Sequence, residues 1–341
     1  MKVLFVGGTG TISMAITRKL LNEGHTVYLL NRGNRNTGLT GDVHFIKGDI
    51  ENDPEGVRAA LEGERFDVIA DFIVKKPEQA ERDVKLFNGK CKQYMTLSSG
   101  AAYQKPLSHY VITESTPLAN PYQQYGRDKI EVENVLNRAY RELGFPVTIV
   151  RPSHTYDERK LPLAIRGKGN YMVIRRMLQG KPVLIQGDGS SLWTVTHSND
   201  FAKGFVGLMM NIHAIGETVH ITSDESVTWN QIYEVIADEL GVELKPYHVA
   251  SDYLASLSEE ADIKTGLLGD KSQTVVFDNS KIKRLVPGFT CTIRMDQGVR
   301  ETVRYIVSHP DEQVDDPEFD VWCDRVIEAL ERTRKELTAF K

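Results

Sequence analysis

Short apolar runs alternate with amphipathic stretches from the first residues onward. Residues 3–6 form an apolar run too short for a buried helix, and it stops at Gly7-Gly8-Thr9-Gly10, which predicts a strand entering a tight turn. Ile12, Ala15, Ile16, Leu20 and Leu21 then recur at helical spacing, with Gly24 where a C-terminal cap belongs. A second strand is predicted over 26–30. The pattern continues with a strand at 43–46, a helix at 54–61, a strand at 68–73, a helix near 78–87 and a strand at 93–97. A long helix over 125–143, closed by Gly144, leads to a strand at 147–150. Strands alternating with helices require parallel pairing through right-handed crossovers, so the expected class is α/β with a doubly wound parallel sheet.

After Arg151-Pro152 the regularity fails, and Pro162, Gly167, Gly169 and Gly180 mark loops. A smaller C-terminal α/β lobe is expected to begin here, giving a sheet domain over 1–157, rejoined by part of 190–225, and a substrate lobe over 158–341. Thr228 to Gln231 matches a capping box for a helix running to Leu240 and ending at Gly241. Asp316-Pro317 opens a last helix whose Phe319, Trp322, Val326, Leu330 and Leu337 form one apolar stripe. That stripe is expected to pack on the body, a homodimer contact being the alternative.

The 341 residues suffice for two such lobes, and with 40% hydrophobic and 26% charged residues the chain is an ordinary globular one. A net charge of −5 gives no general attraction to phosphate backbones, which disfavours nucleic acid as a partner. Cys91, Cys291 and Cys323 are widely spaced without a C-x-x-C pair, so neither a disulfide framework nor a metal site is expected. No run approaches the length of a membrane span, and a cytoplasmic protein is expected.

Gly7 and Gly10 between a first strand and a first helix meet the conditions for a Rossmann-type dinucleotide site. Glycine lets the backbone approach a pyrophosphate, and the helix start at Thr11 and Ile12 supplies free N–H groups. Ser13 stands where the fingerprint has its third glycine. The second strand ends in Asn31-Arg32, with Arg35 close behind, where an NAD site would carry an acid. Guanidinium groups suit a 2′-phosphate, so NADP is expected ahead of NAD, the alternative being that both arginines are solvated loop charges. Asp49-Ile50 lies where adenine is usually held, and Asp49 could equally form a turn.

Tyr125 and Lys129 stand four apart, hence on one helix face. A fixed cation favours the phenolate of a tyrosine otherwise too basic for neutral pH. The strand before them ends in Leu97-Ser98-Ser99, placing a hydroxyl at the same sheet edge.

These pieces resemble the extended short-chain dehydrogenase/reductase superfamily, the NAD(P)-dependent sugar epimerase and dehydratase group. The likeness runs from Met1 to about Phe289. It rests on Gly7 to Ile12, Gly48-Asp49-Ile50, Ser98-Ser99 with Tyr103, Tyr125 with Lys129, Arg151-Pro152 with Tyr156, Gly187-Asp188-Gly189, and His197 to Asp200. The resemblance implies that Tyr125 exchanges a proton with substrate as hydride moves to or from nicotinamide. It implies too that Lys129 binds the nicotinamide ribose and lowers the Tyr125 pKa, and that Ser99 hydrogen-bonds the reacting oxygen.

The chain departs from that pattern in three places. The family's His-x-Ala-Ala reads Ala70-Asp71-Phe72-Ile73, leaving Asp71 as either a substrate contact or a strand-end cap. Ser190 to Trp193 lacks the arginine that grips a diphosphate, and Trp193 either stacks on a sugar or base or fills a core. An arginine expected some ten residues before Asp278 is also missing. Against this, seven basic residues and no acid lie between Arg159 and Lys181, Arg166 among them. They are read either as a contact for an anionic sugar-like substrate or as a solvated face. The expected function is oxidation, reduction or epimerisation of a secondary alcohol on such a substrate. The alternative is an RNA-binding module resembling the chloroplast stem-loop binding branch, which shares stretches like Gly269-Asp270-Lys271 and Phe277 to Lys281.

Overall fold

The computed structural model describes residues 1–33 and 38–339, and within it the chain divides into two compact units. The first comprises Met1–Thr155, Thr194–Asp224 and Val276–Thr292. The second comprises Tyr156–Trp193, Glu225–Val275 and Ile293–Lys341. The chain thus returns to the first unit twice, over 194–224 and over 276–292.

The first unit is built on β1 (Lys2–Val6), α1 (Thr11–Asn22), β2 (Thr26–Asn31), β3 (Val43–Lys47), α2 (Pro54–Ala60), β4 (Phe66–Asp71), α3 (Pro77–Phe87), β5 (Cys91–Leu97) and α4 (Gln124–Leu143). Strands Val147–Pro152 and Thr218–Ile221 complete a seven-stranded parallel sheet. Its order from the far edge is 218–221, 147–152, β5, β4, β1, β2, β3. Successive side chains of a strand face opposite ways, so Val3 and Phe5 enter one buried cluster while Leu4 and Val6 enter the other. The first cluster is covered by α1 and the helix Ser198–Leu208, the second by α2, α3 and α4. Because the chain runs outward from β1 to β3 and then crosses back to β4, the switch point lies between the carboxyl ends of β1 and β4, where doubly wound sheets bind ligands.

In the second unit, Val183–Gln186 and Pro246–Val249 pair in parallel. The helix Trp229–Leu240 starts on the Thr228 and Gln231 capping box and ends on left-handed Gly241, as its sequence requires. The last helix, Pro317–Thr338, is capped by Asp316 and buries Phe319, Cys323 and Val326, and the Trp322 indole donates to the Leu257 carbonyl at 3.0 Å. Leu337 is exposed, so the stripe packs over the early turns only.

Candidate active site

Gly7 and Gly8 both adopt left-handed backbone, φ 96° and 83°. A Cβ on Gly8 would lie 2.6 Å from the Leu29 side chain and 3.3 Å from Phe5 Cβ, and at φ 83° any L side chain is strained. Gly8, part of the turn motif, thus carries as strict a demand as Gly7. Gly10 is extended and caps α1, its N–H donating to the Ser13 hydroxyl at 2.9 Å, so the serine in the third-glycine position closes the turn itself. The first-turn N–H groups of α1, at Thr11 and Ile12, lack intrahelical carbonyls and face the approach to the turn. A backbone cradle that a single Cβ would fill, ahead of a helix N-terminus, fits a pyrophosphate.

At the end of β2 the Asn31 side chain accepts the Gly33 N–H at 2.8 Å, and Arg32 is exposed. Arg35 lies outside the described residues. Asp49 accepts from Glu51 N, Asn52 N and the Asn52 amide at 3.1, 3.2 and 2.8 Å, and these bonds, the Asn52 amide foremost, lower its pKa. Turn formation is thus the role its geometry shows. The Ile50 side chain is buried in the core with Val57.

Tyr125 and Lys129 share the first turns of α4, with the Lys129 ammonium 5.7 Å from the phenol ring centroid. Tyr125 is 39% exposed, whereas Lys129 is buried. The Lys129 Nζ donates to the carbonyls of Val74 and Leu97, at 2.5 and 2.6 Å, just past the ends of β4 and at the end of β5. Burial pushes its pKa down to about 8, with the Asp71 and Glu133 carboxylates opposing and Lys75 adding to the depression. Ser99, two residues past the end of β5, caps the Gly100–Ala102 turn by accepting the Ala101 N–H at 3.1 Å.

Asn120, Gly126 and Glu133, which carry no motif signal of their own, help bring Ser99 and Tyr125 to one edge. The Asn120 side chain donates to the Ala101 carbonyl at 2.7 Å while its oxygen caps the N–H groups of Tyr122 and Gln123 at 3.1 Å. A Cβ on Gly126 would lie 2.4 Å from that same carbonyl, so glycine lets α4 rest on the turn that follows Ser99. One turn beyond Lys129, the buried Glu133 accepts from the Arg151 guanidinium at 2.9 and 2.6 Å and from the Ser98 hydroxyl. Arg151 goes on to the Tyr103 hydroxyl at 2.9 Å and the Glu114 carbonyl at 3.0 Å, and Tyr103 bonds His220. The family motif residues Ser98, Tyr103 and Arg151 therefore form one buried network behind the site.

Three substrate expectations need correction. Asp71 is fully buried and accepts the N–H groups of Ile73 and Val74 at 2.6 and 3.1 Å, so it caps the strand end and cannot touch a substrate. Trp193 is buried and stacks on Trp229 with centroids 5.9 Å apart, filling the core of the second unit. The basic run of the second unit is already spent on acids. Arg159 pairs with Glu312, Lys168 with Asp316 and Glu318, Arg175 with Asp315, and Arg176 and Lys181 with Asp320 and Asp324. Arg166, the remaining candidate, is half-buried in that unit. Among the described residues no group of His, Cys, Asp and Glu could hold a metal, and no helix is long and apolar enough to cross a membrane.

Residues 3–222 match the NAD dependent epimerase/dehydratase family. The 2′-dehydrokanamycin reductase of Streptomyces kanamyceticus is 25% identical over 292 residues, covering 85% of this chain and 80% of the relative. The chloroplast stem-loop binding protein of 41 kDa b from Arabidopsis thaliana is 26% identical over 254 residues, 69% of this chain and 62% of its own length. Among solved structures, a UDP-glucuronic acid 4-epimerase from Bacillus cereus, in complex with UDP-glucuronic acid and NAD, superposes with a TM-score of 0.72. It is 21% identical, over 90% of this chain and 99% of that one, a likeness of fold.

Proposed function

Because the chain belongs to the NAD-dependent epimerase/dehydratase family, we propose that it is an NADP-linked reductase of a ketone on a sugar ring, with Tyr125 as proton donor. The observation that carries this reading is Lys129, held on the carbonyls of Val74 and Leu97 one helical turn from Tyr125. The glycine turn with Thr11 and Ile12 would hold the pyrophosphate, Lys129 the nicotinamide ribose, and Arg32 beside Asn31 a 2′-phosphate. When bound, the reduced dinucleotide supplies the hydride. Tyr125 gives its phenol proton to the carbonyl oxygen as that oxygen becomes an alkoxide, and Ser99 donates a hydrogen bond to the same atom. The Lys129 ammonium stabilises the phenolate left behind, and at 39% exposure Tyr125 regains its proton from water.

Two features support a sugar without a nucleotide diphosphate. Ser190 to Trp193 offers no guanidinium, and five of the seven basic residues from Arg159 to Lys181 are paired with acids of the second unit. The same pairing leaves little of that segment for an RNA backbone. The name of the Streptomyces relative supports reduction over epimerisation.

The test is a panel of keto-sugars, with and without a nucleotide, followed by NADPH absorbance and by separation of products. Tyr125→Phe is expected to lower kcat by ~10²-fold or more. NADPH is expected to exceed NADH in kcat/KM, and Arg32→Glu to reverse that order. Full turnover in Tyr125→Phe, or a product epimerised without net NADPH use, would overturn the reading.

A further inference from the structure

The carboxylate at the end of β4 is linked to the lysine by two hydrogen bonds through Val74 without touching it. Asp71 accepts the N–H groups of Ile73 and Val74, and the carbonyl of that same Val74 receives the Lys129 ammonium. We infer that Asp71 is a positioning residue for Lys129, acting through the turn that ends at the Val74 carbonyl. The inference rests on the proposed role of Lys129 in holding the dinucleotide.

The surroundings show that Asp71 reaches Lys129 through the turn while its own carboxylate stays out of contact. Asp71 has no exposed surface, so neither substrate nor dinucleotide can reach it. Its second oxygen faces the Asp83 carboxyl and lies 3.6 Å from Arg82. Arg82 is in turn committed to Asp83 at 2.9 Å and to Glu51 at 2.5 Å, while Asp83 accepts the Tyr94 hydroxyl at 2.6 Å. Burial first and the neighbouring Asp83 second push the Asp71 carboxyl well up, with the Ile73 N–H and Arg82 opposing. In either protonation state one oxygen remains to accept the two N–H groups, as a side chain at the start of such a turn does. An asparagine carries that acceptor as well, and its amide can donate toward Asp83.

Two readouts test this, neither of them turnover. The first is the rate at which acetic anhydride labels Lys129 in the free protein, read by mass spectrometry of the Lys129 peptide. Asp71→Ala is expected to label several-fold faster than Asp71→Asn: both variants lose the carboxylate that favours the ammonium, so the difference between them reads the loss of one of its two carbonyls. The second is NADPH affinity in a double-mutant cycle with Lys129→Ala. If Asp71 acts through Lys129, the Asp71→Ala loss of about tenfold disappears once Lys129 is gone, whereas a general structural fault adds to the Lys129→Ala loss. If Asp71→Ala does not fold, Asp71→Ser, which accepts at most part of the turn, takes its place with a smaller acceleration. Unchanged labelling in the Ala or Ser variant, labelling in Asp71→Asn as fast as in Asp71→Ala, or additive losses would overturn the inference. Unchanged NADPH affinity in Lys129→Ala would overturn the proposed role of Lys129 instead, and labelling would then decide the positioning of the lysine by itself.

Discussion

Each unit carries an ionic cluster, and the two do different work. In the first, Glu133 and Arg151 are nearly inaccessible, and every bond they make fixes a piece of backbone or a side chain next to the site: the Ser98 hydroxyl, the Tyr103 phenol and the Glu114 carbonyl. In the second, Lys168 and Arg175 meet their acids at the surface, and half-buried Lys181 bridges Asp320 and Asp324 at 2.8 Å each, the same carboxylates that hold the buried Arg176. A buried pair is costly to break because the survivor stays in low dielectric, whereas a surface pair is screened and contributes little. The first cluster therefore sets positions, and the second neutralises a basic stretch that otherwise resembles an anion site.

The contrast is sharpest at Glu133. Glu133→Ala strands Arg151 without its carboxylate and is expected to destabilise the protein by ~3–5 kcal/mol. Urea unfolding measures it, and a loss below about 1 kcal/mol would show that the buried network is no stronger than the surface one.

Lys129 gives the next largest effect, through pH. Its pKa is near 8 in the folded chain against an ordinary 10.5, so between these values the unfolded chain holds the extra proton and stability rises with pH. The gap is worth roughly 3 kcal/mol. Lys129→Met removes the titration, so the stability of wild type relative to Lys129→Met should climb from about pH 8 to about pH 10.5 and be flat below. The carbonyls bared at Val74 and Leu97 shift the offset between the two proteins and leave the slope intact. Parallel unfolding curves across that window would contradict the burial argument.

Lys181→Ala, which leaves Asp320 and Asp324 paired with Arg176, should be the mildest. A change of ~1 kcal/mol or less is expected, smaller still in 1 M salt. A larger loss that persists in salt would mean that the two clusters do not differ in kind.

Much of the first unit was legible because its signals are local. The alternation that separates Val3 and Phe5 from Leu4 and Val6, the glycines after β1 and the Gly144 cap of α4 each act within a few residues. The Tyr125 and Lys129 pair is legible for the same reason. Asp71 and Trp193 were not, since a strand's period tells which residues share a face and not whether that face is reached by solvent. The basic run failed for a different reason. Its acids lie some 140 to 150 residues further along, at Glu312 to Asp324, and no local pattern links them. The parallel pairing of Val276–Phe277 with Val111–Ile112 is equally remote, and two residues are too few to announce a strand.

Gly126 carries a practical consequence for anyone stabilising this protein. A glycine inside a helix is the first position that a propensity-based redesign replaces by alanine, for a nominal gain of ~1 kcal/mol. Here the added methyl would meet the Ala101 backbone carbonyl at 2.4 Å, and a backbone carbonyl cannot swing aside as a side chain can. The substitution that looks safest on a helix scale would pry Tyr125 away from Ser99, trading the site for a more regular helix.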